Sequence, residues 1–182
     1  QQITENTVLK SGQGYTMKGS GIVIPPSVLA QNYVFSGKPN NGLINNTGVQ
    51  IGINNINLVG NPYASALDAD EFIIDNLSAI TGSLYFWEHY TSNSTHVLSG
   101  YQGGYATYTL MGGALAVNND TRIDADGSLG TKLPGRYIPV SQGFFVSAFA
   151  DPTVVYSEPI VGGNILFKNS QRIFEIEGEN SL

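Results

Sequence analysis

Short apolar or alternating runs, closed on both sides by Gly, Asn, Pro or Ser, fill this chain and leave little room for long helices. The runs are Tyr15–Lys18, Ile22–Ile24, Asn32–Gly37, Gly48–Ile53, Ile56–Val59, Ser83–His89, Gly104–Met111, Tyr137–Val140, Gly143–Phe149, Thr153–Ser157, Asn164–Lys168 and Arg172–Ile176. Most have the length of a β-strand, and Asn41-Gly42 is a strong tight-turn signal. Strands this short, separated by turn residues, predict an all-β fold of the sandwich or barrel kind, best read as a jelly-roll-like β-sandwich. Asn118–Pro134 has few apolar residues and is the most loop-like stretch.

One segment breaks the strand pattern. Ser65–Leu77 begins with Ser, has Asp68 three residues later and carries its acids early, which predicts a capped short helix over about 66–77. Leu67, Ile74 and Leu77 would share its apolar face. No linker composition and no fixed-period repeat divides the chain, so residues 1–182 read as a single module.

Composition narrows the function classes. Only 12% of residues are charged, against a globular average of roughly 25%. Polarity comes instead from Asn, Ser, Thr and 22 Gly, as in many extracellular β-proteins. The net charge is −6 with 8 Lys+Arg scattered along the chain, so no basic stripe can track phosphates and nucleic-acid binding is rejected. No run approaches the roughly 18 apolar residues of a membrane helix, and membrane insertion is not expected. There is no cysteine, which removes disulfides, thiolate metal sites and Cys nucleophiles. The opening Gln1-Gln2-Ile3 shows no signal peptide and reads as the start of an excised or processed fragment.

Catalytic patterns are weak. His89 and His96 lack a Gly-x-Ser-x-Gly elbow or a recognisable triad, and they read as surface or edge-strand residues. Asp68, Asp70, Glu71, Asp75 and Glu88 could supply a glycosidase pair only if the fold brought two of them together. A non-enzymatic protein is the simpler expectation. The stretch from Asn118 to Ser128 places Asp120, Asp124 and Asp126 near Gly127, part of the pattern that offers oxygens to Ca²⁺. It lacks the closing Glu of an EF-hand loop, and a hydrophilic Asp-Gly turn is the plainer reading.

Aromatic residues crowd one region. Tyr85 and Trp87 would share one strand face, with Phe86 on the other. Tyr90 follows, and Tyr101 and Tyr105 lie in the Gly-rich stretch Gly100–Tyr105, which reads as a loop. Tyr85, Trp87, Tyr90, Tyr101 and Tyr105 are therefore the candidate ligand-binding set. Exposed rings stack on the apolar faces of sugars; buried rings would simply be core, the plainer reading for the lone Trp87.

Four segments resemble a module of secreted Bacteroidetes proteins. Asn57–Asp68 resembles its N-L-[IV]-G-N-P-Y-x-S-x-[IL]-D signature, and Leu84–Glu88 its [IL]-Y-x-W-[DE] strand. Ile138–Val146 resembles I-P-x-x-Q-G-F-F-V, and Ile165–Arg172 the closing [IL]-x-F-x-N-S-x-R. The resemblance spans about Tyr15 to Ile176. It implies a β-rich accessory module near the C-terminus of an adhesin or secreted enzyme, next to neighbouring domains of a parent protein and a type IX secretion sorting domain. It implies an extracellular or cell-surface location and brings no catalytic residues. The resulting expectation is a non-catalytic module for glycan binding or adhesion. A passive spacer or docking domain and a fragment of a polysaccharide or peptide hydrolase are the alternatives.

Overall fold

Alternation along Leu84–His89 sets the main sheet: Leu84, Phe86 and Glu88 turn inward, while Tyr85, Trp87 and His89 turn outward. The computed structural model describes residues 6–17, 34, 36–44, 49–90, 97–150 and 153–175. Within them lie strands β1 (Gln50–Ile51), β2 (Ile56–Gly60), β3 (Ala66–Asp68), β4 (Leu84–His89) and β5 (Gly103–Thr109). Strands β6 (Gly112–Ala114), β7 (Tyr137–Ile138), β8 (Gly143–Ser147), β9 (Gly163–Asn164) and β10 (Arg172–Ile173) follow, with helix α1 at Ala69–Asp75.

All strand pairs are antiparallel and form three sheets, ordered β2-β8-β4-β5-β6, β10-β3-β7 and β1-β9. The fold is all-β and sandwich-like, with one short helix. The core lies on the inner face of the five-stranded sheet. Phe144 of β8 meets Phe72 of α1 edge-on at 5.3 Å and Phe86 of β4 at 5.8 Å. Phe72 also touches Phe167 at 5.2 Å, so one ring joins the helix to the sheet and to the C-terminal segment.

The helix is shorter than its sequence suggests. Ala66–Asp68 is fully buried as β3, paired with β10 on one side and β7 on the other. Two ladders of backbone hydrogen bonds outweigh local helix preference there. Asp68, not Ser65, is the cap: its Oδ1 accepts from the Asp70 and Glu71 backbone N–H groups at 3.0 and 3.4 Å. Asp68 also receives the Arg136 guanidinium in a bidentate pair, with both straight contacts at 2.9 Å. The buried helix residues are Ala69, Phe72 and Ile73; Ile74 is half exposed, and Leu67 belongs to β3.

Other expectations need correction. Thr153–Ser157 forms turns and bends, and Tyr15–Met17 makes no strand, although neighbouring Gln13 bridges Val59. The strand β6 was not expected because Gly112-Gly113 lacks a strand-forming side chain; it is the return arm of a hairpin, with Gly112 at φ +112°. The expected strand Ile22–Ile24 lies outside the described residues, as does most of Asn32–Gly37.

The family-like signatures act as cross-links. Buried Asn61 donates to the carbonyls of Ser65, Ile138 and Pro139 and accepts from the Tyr63 N–H, fixing the turn from β2 to β3. The Tyr63 hydroxyl donates to the Gly42 carbonyl at 2.7 Å, and the Arg172 guanidinium lies over the Tyr63 ring at 5.1 Å. Asn76 holds both the N–H and the carbonyl of Leu166. Asn61, Tyr63, Leu166 and Arg172 of these segments build the fold, with Asn76 as an outside partner.

Candidate functional site

The outward face of the main sheet carries a continuous row of rings. Register places Trp87 opposite Tyr105, and Tyr85 opposite Thr107 on one side and Phe145 on the other. Tyr105 meets Trp87 edge-on at 4.9 Å and Phe145 edge-on at 5.5 Å. Tyr101, from the loop before β5, lies nearly parallel to Trp87 at 6.2 Å and stacks on His89 at 4.6 Å. Trp87 is 41% exposed and Tyr105 42%, so neither is a core residue. Alternation along β4 puts Trp87 on this face.

Glycine makes the row possible. A Cβ on Gly103 would stand 2.7 Å from Trp87 Cζ2 and 2.8 Å from the Glu88 carbonyl. Gly103→Ala should therefore displace the indole and cost roughly 1–3 kcal/mol in chemical denaturation. A variant as stable as the parent, with unchanged Trp87 emission, would contradict this close approach. Gly103 and its neighbour Gly104 give Gly100–Tyr105 the look of a loop. Gly103 and Gly104 instead pair with His89 and Glu88 inside β5, so Tyr105 is a strand residue.

Beside the rings is a groove of about 570 Å³, lined by Trp87, Tyr105, Thr107, Leu115 and Val117 and by the segment Asn119–Arg122. The loop that walls it is held tightly. Val117 bridges Leu129, the Asn118 N–H donates to the Ser128 carbonyl, and the Asp124 N–H donates to the Tyr101 carbonyl. Gln102 Nε2 donates to Asp124 Oδ2 at 3.2 Å and to Asp126 Oδ2 at 2.9 Å. Asn118 Nδ2 donates to Asp126 Oδ1 at 2.8 Å and also to the Asp124 carbonyl.

The three candidate calcium ligands each have protein partners in this structure. Asp120 turns to Arg122, whose Nε and Nη2 lie at 2.9 and 2.5 Å from its two oxygens. Asp124 and Asp126 are taken up by Gln102 and Asn118. No group of three His, Cys, Asp or Glu side chains able to hold a metal occurs among the described residues. Asp120 lines the groove, and Asp124 and Asp126 tie the loop to Gln102 and Asn118.

Arg122 holds the Asp120 carboxyl down to about 2, well below its ordinary 3.8. Hydrogen bonds from Ser128 and Asn118 lower Asp126 as well. Both carboxylates are depressed, so their contribution is complete above the ordinary carboxylate range and is lost as pH falls through the folded-state values. Carboxyl signals of Asp120 and Asp126 in nuclear magnetic resonance should titrate below the ordinary carboxylate range. Either carboxyl titrating at or above its ordinary value would contradict this wall.

The other expected residues divide. Tyr85 lies on the outer face, half-buried. Tyr90 does not join the row: it is 8% exposed, and burial raises its phenol. The strand ends at His89, so alternation no longer sets its direction. His96 lies outside the described residues. Asp68 and Asp70 share the Arg136 guanidinium, at 2.9 and 3.2 Å, while Glu88 and Asp75 are engaged apart from them. Glu88 is buried and accepts from the Thr131 N–H and hydroxyl at 2.9 and 3.0 Å and from the Lys132 N–H at 3.3 Å. Asp75 pairs with Lys168 at 2.5 Å, and Asp68 with Arg136 at 2.9 Å.

A family model described as a domain of unknown function, DUF8693, matches residues 1–180. The chain belongs to the DUF8693 family. No curated protein matches it, and no solved structure matches it. Sequence reasoning missed several members of this DUF8693 site: Phe145, His89, Thr107 and Arg122. Alternation along Gly143–Ser147 and Leu84–His89 already put Phe145 and His89 outward, so that signal was available. Nothing in sequence tied Arg122 to the rings, because the 118–128 loop reaches them through tertiary contacts.

Proposed function

We propose that this DUF8693 chain is a non-catalytic glycan-binding module of a secreted or cell-surface bacterial protein, and that saccharide sits in the groove beside Trp87. The observation that carries the reading is the half-exposed Trp87–Tyr105 pair on a rigid sheet, walled by hydrogen-bonding side chains. Ring faces stack on apolar C–H faces of sugars, and Thr107, Asn119, Asp120, Thr121 and Arg122 offer partners for hydroxyls. The groove volume lies in the usual range for small-molecule sites. Support for a surface location and for adhesion comes from the low charged fraction and from the resemblance to modules beside type IX sorting domains.

A broad polysaccharide and glycan array, run in calcium and again in chelator, tests the reading. Reproducible binding to one polymer class is expected, lost on Tyr105→Ala and unchanged by chelator. Binding lost in chelator would restore a cation to the 120–126 loop. Binding to nothing in either condition would leave a passive spacer as the better account.

A further inference from the structure

We propose that the groove takes a neutral polysaccharide, and that Asp120 and Arg122 together grip adjacent hydroxyls of one sugar ring. This rests on the saccharide reading and narrows it. Asp120 and Arg122 are the only charged side chains among the described residues lining the groove, and they are closed on each other. Their charges cancel, so the groove holds no unpaired cation for a uronate or sulfate. The chain carries −6 overall and repels a polyanion at longer range.

Donor and acceptor geometry points the same way. Arg122 uses Nε and Nη2 on Asp120, leaving Nη1 outside the pair on a side chain that is 84% exposed. A free N–H edge therefore stands beside a carboxylate whose Oδ1 already accepts from the Arg122 backbone N–H and Nε, while Oδ2, held by Nη2 and by a longer contact to Nε, keeps room for one more hydrogen bond. A hydroxyl both donates and accepts, so two neighbouring hydroxyls match that pair. A ligand carboxylate only accepts, and it would meet the Asp120 oxygens as like charge. Sugars whose hydroxyls are equatorial keep a flat C–H face for Trp87 and Tyr105 while turning those hydroxyls outward to the wall.

The test titrates the full chain with neutral β-linked glucan, xylan and mannan, and with polygalacturonate and alginate, at low and high salt. Trp87, the single tryptophan, reports binding by its emission. A neutral polymer should bind at least about tenfold tighter than either polyuronate, with less than about a twofold change between salts. Arg122→Lys keeps the charge but loses the planar fork, and should weaken neutral binding about tenfold with unchanged thermal unfolding. Tighter, salt-sensitive polyuronate binding would overturn the inference, as would neutral binding unaffected by Arg122→Lys; either result leaves the saccharide reading standing. If no polymer of either class perturbs Trp87, both fall together.

Discussion

Trp87→Ala is expected to weaken saccharide binding by at least roughly tenfold while the chain remains folded. The two halves of that statement have separate causes. Binding falls because the indole offers the broadest exposed ring face at the groove, and Ala leaves a sugar nothing to stack on. Folding survives because Trp87 lies outside the core cluster, which is built from the opposite face of the same strand. The ring does touch Tyr101 and Tyr105, and losing those contacts should cost about 1–2 kcal/mol, at roughly 0.5–1.5 kcal/mol per aromatic pair. Calorimetric titration and thermal unfolding of the same sample separate the two effects. Unfolding at ambient temperature would mean that Trp87 is structural first. Undiminished affinity in a folded variant would remove it from the site.

Phe72→Ala should give the largest loss of stability, about 3–5 kcal/mol in chemical denaturation. Phe72 is fully buried on α1 and contacts Phe144 and Phe167, so truncation opens a cavity where the helix, the main sheet and the C-terminal segment meet. A domain's whole stability is typically about 5–15 kcal/mol, so this single change approaches the threshold of folding. Ile74→Ala on the same helix is the control: Ile74 is half exposed and should cost less than about 1 kcal/mol. Equal losses at the two positions would mean that the helix packs through a different face.

The strand face of the site was legible because the β period is two. Alternation along Leu84–His89 and Gly143–Ser147 separates inner from outer residues without knowledge of topology, and the structure keeps that separation up to Ser147, which is buried at the strand end. The lone Trp87 was the test of its limits. Composition favoured a core tryptophan, but its alternation partner is Tyr85, and the inward places are held by Leu84, Phe86 and Glu88. Tyr90 failed for the complementary reason: it sits just past the strand end, where its backbone N–H donates to the Gln102 carbonyl and its side chain turns into the core.

What stayed illegible depended on distant partners. Ala66–Asp68 reads as the first turn of a helix until β7 and β10 pair with it, and those strands lie about 70 and 105 residues away in sequence. The loop acids read as calcium ligands because spacing alone suggests convergence. Gln102 and Asn118, which hydrogen-bond Asp124 and Asp126, come from outside the Asp-x-Asp-Gly pattern. Arg122 could be paired with Asp120 two residues away, but its place beside Trp87 follows from the bridge Val117–Leu129 and from Asp124 holding Tyr101.

The central claim is that a saccharide contacts the outer face at Trp87. A single tryptophan gives a single indole N–H signal, so nuclear magnetic resonance can watch that position alone during titration with the polymer selected on the array. The account predicts that this signal shifts progressively and saturates with the binding isotherm. A polymer that binds the chain while the Trp87 indole signal stays unmoved would contradict it.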